Sequence, residues 1–195
     1  WMMIDLSLDT GLPVTTVLPA VTGLPGYSPA LADVNGDGYA DIVWTSNNAF
    51  VNDVEVWIND QNGGYAKYKL PARPQGYTLF GAGDVNGDGK TDLIWTNPQM
   101  HQMMWWLMDG TTVTAERTMP VNGGLTMASI ADYDGDGLAD ILWTGRNGQV
   151  VEWRSNGGAF QQFTVADAFG NPLSVPAGTQ LEANRLQGSA IAGHQ

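Results

Sequence analysis

Apolar residues in this 195-residue chain fall in short runs separated by glycine-rich polar turns. No segment shows the 3.6-residue apolar period of an amphipathic helix. The runs recur in groups of four. One leads into an acidic turn (Ser28 to Val34, Thr78 to Val85, Thr126 to Tyr133), and a second follows it (Ala40 to Thr45, Thr91 to Thr96, Ala139 to Thr144). A third carries tryptophan or methionine (Val54 to Ile58, Met103 to Met108, Val150 to Trp153), and a fourth alternates (Tyr65 to Leu70, Thr112 to Met119, Phe160 to Val165). Asn-Gly and Asp-Gly pairs such as Asn62-Gly63, Asp109-Gly110, Asn147-Gly148 and Asn156-Gly157 punctuate them. Short runs bounded by such pairs predict antiparallel strands joined by tight turns.

The acidic turns are near copies of one another. They are Asp33-Val34-Asn35-Gly36-Asp37-Gly38-Tyr39-Ala40-Asp41, Asp84-Val85-Asn86-Gly87-Asp88-Gly89-Lys90-Thr91-Asp92 and Asp132-Tyr133-Asp134-Gly135-Asp136-Gly137-Leu138-Ala139-Asp140. Each is followed by an apolar run with a Trp (Trp44, Trp95, Trp143) eleven residues after the first Asp. The first Asp falls at 33, 84 and 132, steps of 51 and 48. A period in this range with four strands per unit predicts an all-β fold, a β-propeller of four-stranded antiparallel blades.

The turns carry a metal chemistry. Oxygen side chains fall at positions 1, 3, 5 and 9, and glycines at 4 and 6 permit the bend that turns them inward. Hard oxygen donors, a glycine at the bend and a main-chain carbonyl at position 7 are the ligand logic of a calcium loop. The candidate ligands are Asp33, Asn35, Asp37, Tyr39 and Asp41; Asp84, Asn86, Asp88, Lys90 and Asp92; and Asp132, Asp134, Asp136, Leu138 and Asp140. Tyr39, Lys90 and Leu138 enter through their carbonyls, and the Lys90 side chain is expected to point to solvent. The alternative is a metal-free Asx-turn hairpin. Three or four carboxylates within nine residues repel one another unless a cation neutralises them, and an oxygen-only set favours Ca²⁺ over zinc or copper. About three ions are expected, bound most tightly by the four-Asp third loop, with a structural role.

Charge is otherwise sparse. The formal net charge is −12, but the three loops hold 10 of the 20 acidic residues, so three Ca²⁺ would leave −6. Charged residues make up 14% of the chain, against about 25% in an ordinary soluble domain. Such a surface meets little charge repulsion on associating with copies of itself or with sugars. Eight scattered Lys and Arg argue against nucleic acid, and no apolar run is long enough to cross a membrane. There is no cysteine, and the two histidines, His101 and His194, stand outside any catalytic motif, so no catalytic residue is assigned and no enzyme is expected. The chain opens Trp1-Met2-Met3-Ile4 without a signal-peptide pattern and reads as a processed or trimmed product. Met100-His101-Gln102-Met103-Met104-Trp105-Trp106-Leu107-Met108, the most apolar stretch, predicts an inner strand covered on both faces.

The three DxNGDGxxD or DxDGDGxxD loops, with the Ile-Val-Trp-Thr, Leu-Ile-Trp-Thr and Ile-Leu-Trp-Thr segments that follow them, resemble the FG-GAP/VCBS repeats of integrin-α-like propellers and many secreted bacterial proteins. The resemblance covers about residues 27–165. It implies a propeller with calcium between the first two strands of a blade, serving as a scaffold or binding proteins or glycans.

Blades are expected at approximately 21–71, 72–121 and 122–170 within one domain. The ends supply a fourth, composite blade: residues 1–20 resemble third and fourth strands, and residues 171–195 the first two. Glu182 and Asn184 fall on positions 1 and 3 of a degenerate loop, with Leu186 and Ala190 on 5 and 9. Counting from Glu182, the third step is 50 and the wrap-around step 46, which fits closure of a four-bladed ring. The expected function is that of a non-catalytic, calcium-stabilised structural subunit of an extracellular or cell-surface assembly, with itself as partner. The alternative is a lectin-like or adhesive module binding glycans or proteins, for which the eight tryptophans are one argument.

Overall fold

The computed structural model describes residues 26–46, 48, 50–122 and 124–176 with their side chains, and the backbone of residues 3–5 and 15–17. Every regular element among them is a strand. β1 (Met3–Asp5) and β2 (Thr15–Val17) pair antiparallel, Met3 opposite Val17. Three four-stranded sheets follow in chain order. The first holds β3 (Tyr27–Ala32), β4 (Asp41–Ser46), β5 (Val54–Asn59) and β6 (Tyr65–Lys69). The second holds β7 (Thr78–Gly83), β8 (Asp92–Asn97), β9 (Gln102–Asp109) and β10 (Thr112–Pro120). The third holds β11 (Leu125–Ala131), β12 (Asp140–Gly145), β13 (Val150–Ser155) and β14 (Phe160–Thr164). Each is a meander in which sequence neighbours are sheet neighbours. Each acidic loop joins the first strand of a sheet to the second, and its last Asp opens that second strand. The expected composite blade falls mostly outside the described residues, Glu182, Asn184, Leu186 and Ala190 included.

The chain divides into two compact units, Trp1–Ala82 with Gly89–Pro120, and Gly83–Asp88 with Val121–Gln195. The boundary runs through the second loop. In the first unit, Val43, Val54 and Val56 of the first sheet share one buried cluster with Leu93, Trp95, Met104 and Trp106 of the second. The register explains the two sets. Val43 lies opposite Val56, and Trp95 opposite Met104 with Leu93 opposite Trp106, so each set lines one face of its sheet. A tryptophan-bearing face thus packs on a valine face. Met103 to Met108 are all buried, as a strand covered on both sides requires. The run begins only at Gln102: Met100 is exposed, and His101 takes a left-handed φ of 50° in the turn before β9.

The recurring tryptophans pair with the Trp of the following strand. Ring centroids are 5.2 Å apart for Trp44–Trp57, 4.8 Å for Trp95–Trp106 and 4.7 Å for Trp143–Trp153. In the first sheet Trp57 lies opposite Ile42, two residues from Trp44 on the same face, so the contact is a cross-strand diagonal. Tilted pairs at this spacing add roughly 1 kcal/mol to the burial of the rings.

Main-chain bonds join consecutive repeats. In the first unit the Thr91 N–H donates to the Asp33 carbonyl (2.7 Å) and the Gly110 N–H to the Val34 carbonyl (2.8 Å). In the second, the Ala139 N–H donates to the Asp84 carbonyl (2.6 Å) and the Gly158 N–H to the Val85 carbonyl (2.9 Å). The acceptors are always loop positions 1 and 2. The donors are position 8 of the next loop and the turn before its fourth strand.

Candidate metal centre

The loop backbone aims the acidic side chains. The position-1 carboxylate accepts from the N–H groups of the bend: Gly36 (2.8 Å), Asp37 (3.1 Å) and Gly38 (2.9 Å) onto Asp33, and Gly135 (2.7 Å) and Gly137 (3.0 Å) onto Asp132. Asp84 accepts from Asn86 (3.2 Å) and Gly87 (2.7 Å). Positions 3 and 5 each accept from the N–H two residues on. Asn35 takes Asp37 (3.1 Å), Asn86 takes Asp88 (2.9 Å) and Asp134 takes Asp136 (3.2 Å). Asp37 takes Tyr39 and Asp136 takes Leu138, both at 2.8 Å. These Asx turns hold the loop side chains in place at little conformational cost. The glycines at positions 4 and 6 all have φ between 72° and 90°, a region β-carbon sterics close to most residues. Position 4 is also tight: a Cβ on Gly36 would lie 2.9 Å from the Gly89 carbonyl oxygen.

In the third loop, carboxylate oxygens of Asp132, Asp134 and Asp136 lie within 4.8 Å of one another, exposed to solvent. A cluster of hard oxygens with main-chain N–H groups already bonded to part of each carboxylate fits a calcium ion better than a softer metal. The residues that would hold it are positions 1, 3 and 5, with the position-7 carbonyls of Tyr39, Lys90 and Leu138 next in the chain.

Position 9 is a different environment. Asp41, Asp92 and Asp140 are fully buried. Asp41 accepts from the Val34 N–H (3.1 Å) and the Asn59 N–H (2.9 Å), and Asp140 from the Tyr133 N–H (3.0 Å) and the Ser155 N–H (2.9 Å). Asp92 accepts from the Met108 N–H at 2.9 Å. This residue therefore ties the end of the third strand to the second, and in the first and third loops also to loop position 2. Asp140 is not part of the three-carboxylate group. Burial pushes the Asp41 carboxyl up to about 6; the Asn59 and Val34 N–H groups pull it down, and Asp37 and Asp33 push it further up. Asp140 is raised for the same first reason, against the N–H groups of Ser155 and Tyr133. For Asp37 burial also acts upward, but bonds from Tyr39, Asn35 and Gln61 outweigh it and leave the group lowered.

Three partners of the loops carry no motif. The Lys90 ammonium, expected in solvent, pairs with Asp109 at 2.8 Å, because the Asp109-Gly110 turn is held near the loops by the Gly110 bond to Val34. The Gln61 amide donates to Asp37 (3.2 Å), and Arg154 reaches Asp134 (3.3 Å).

This geometry defines a class, an all-β repeat protein in which an acidic, glycine-bent loop joins the first two strands of each sheet. The FG-GAP-like repeat model matches residues 33–95 and 84–143, more than half of the chain, and the chain belongs to that family. A T-cell immunomodulatory protein homolog of Plasmodium falciparum (isolate 3D7) is 38% identical over 76 residues, 34% of this chain. The match spans about a tenth of that relative's length. No solved structure matches the chain.

Proposed function

We propose that this chain is a non-catalytic, calcium-stabilised β-propeller module that acts outside the cell as a structural, self-associating subunit. The observation that carries the reading is the triplicate loop: in all three the bend donates N–H groups to the position-1 carboxylate, and in the third the carboxylates of positions 1, 3 and 5 lie within 4.8 Å of one another. In the proposed fold the three sheets are blades, and a fourth built from residues 171–195 and 1–20 closes the ring, removing two exposed sheet edges. Pairing of the same ends between molecules would give an open polymer instead. Extracellular modules fill such loops at about 10⁻⁴–10⁻³ M calcium, which the cytosol does not supply. Membership of the FG-GAP-like family supports the location, as does the match to the T-cell immunomodulatory protein homolog. The seven described tryptophans are all buried, so tryptophan stacking lends no support to a glycan-binding alternative.

The experiment has two parts. Calorimetry should show Ca²⁺ preferred over Mg²⁺, and EDTA should lower the melting temperature; a melting temperature indifferent to EDTA would refute a structural role for calcium. Size-exclusion and negative-stain microscopy with calcium should show oligomers. A strictly monomeric chain that bound a glycan array would transfer the function to recognition.

A further inference from the structure

The third loop differs from its siblings at position 3. In the first two an asparagine stands there, and its amide donates to the position-5 carboxylate, Asn35 to Asp37 at 2.9 Å and Asn86 to Asp88 at 3.1 Å. Asp134 has no amide to give and adds a third carboxylate to the group. What faces it is Arg154 on β13, whose Nη1 lies 3.3 Å from Asp134 Oδ2. The guanidinium is held from behind. Its Nε and Nη2 donate to the buried Glu152 at 2.9 and 3.3 Å, and it lies over the Phe163 ring, 4.6 Å from the centroid. The position-9 bonds align Ser155 with Asn59 and Met108, so the residues equivalent to Arg154 are Ile58 and Leu107, which carry no charge. At this position of the third strand a cation is present only in the sheet whose loop has the additional carboxylate.

We propose that Arg154 is a built-in counter-cation of the third loop and sets its affinity for a divalent ion. Without the ion it neutralises Asp134, the carboxylate that stands where the other loops have an amide donor. With the ion it is a like charge one carboxylate away. The four-Asp loop is thereby brought down towards its siblings instead of being the tightest of the three. The inference rests on reading the loops as calcium sites. A unit charge at that remove from a divalent ion, in solvent and at physiological salt, changes affinity by roughly three- to tenfold.

The test is a calcium titration of the [¹⁵N]glycine-labelled chain. The Gly135 and Gly137 amides bond Asp132 and report the third loop, while Gly36 and Gly38 report the first. R154M should tighten calcium three- to tenfold at Gly135 and Gly137 and leave Gly36 and Gly38 unchanged. R154K should stay near wild type, and in a D134N background R154M should have much less effect. If R154M misfolds because Glu152 is left unpaired, E152Q/R154M against E152Q gives the same comparison. Unchanged affinity, or an equal change at the first loop, overturns the role of Arg154 alone. Glycine amides indifferent to calcium in every variant overturn the calcium reading with it.

Discussion

Asp41 allows the metal-free state to be tested through its pH dependence. Its carboxyl is fully buried and pushed up to about 6, against about 3.9 in an unfolded chain. A carboxyl raised by folding favours the protonated form. Its contribution to stability is therefore fully present below the unfolded value and is lost as pH rises through the folded one. Two pH units at about 1.4 kcal/mol each make the loss about 3 kcal/mol between pH 4 and 7. For a chain of this size that is roughly 6–12 °C in melting temperature. Asp140, also raised by burial, acts in the same direction, while the lowered Asp37 and Asp167 act below about pH 4 and leave this window unaffected. A bound divalent ion favours the carboxylate and should flatten or reverse the trend. The assay is thermal melting from pH 4.5 to 8 in EDTA and in calcium, with D41N as the control that lacks the titrating group. The reasoning fails if the metal-free wild type gains stability as pH rises from 4.5 to 7, or if D41N keeps the whole of the wild-type slope.

Other substitutions test the packing. G36A forces a Cβ to φ 72° and to 2.9 Å from the Gly89 carbonyl, so it should cost about 1–3 kcal/mol in urea denaturation. G38A, equally left-handed but facing open space, should cost less, and equal losses would argue against the close approach. W106A removes a buried ring paired with Trp95 and bonded to Glu116, and should cost about 3–5 kcal/mol by the same measurement. The buried Arg73 guanidinium donates to the main-chain carbonyls of Tyr77, Ser46 and Val51; R73M should lose roughly 2 kcal/mol or more, and a thermally neutral R73M would show those bonds to be dispensable.

The loops and strands were legible because they are written in side chains at fixed offsets. Glycine pairs mark the bends, Asp and Asn the ligand positions, and apolar runs the strands, so the three meanders follow from spacing alone. The covered strand at Met103 to Met108 was equally plain, since nothing in the run can face water. Position 9 was half legible: an Asp is visible at 41, 92 and 140, but not that main-chain N–H groups from the third strand converge on it. The bonds between repeats left no trace, because carbonyls of Asp33, Val34, Asp84 and Val85 are offered by any residue. Arg154 and Lys90 were hidden for another reason. Their partners, Asp134 and Asp109, are distant along the chain and come near only through sheet register.

The main-chain bonds between repeats also bear on how such a chain changes length. The second repeat carries both halves of the joint, carbonyls at loop positions 1 and 2 and N–H groups at loop position 8 and the turn before the fourth strand. A duplicated repeat therefore arrives with a working donor and a working acceptor, and no complementary side chain has to be invented on either side. Whole repeats can be added in this way to an open array, whereas a closed ring fixes their number, and the glycine that lets neighbouring loops touch, Gly36 against Gly89, admits no side chain without strain. The joint is also polar in direction, acceptor end to donor end, so repeats add head to tail and cannot be inserted reversed.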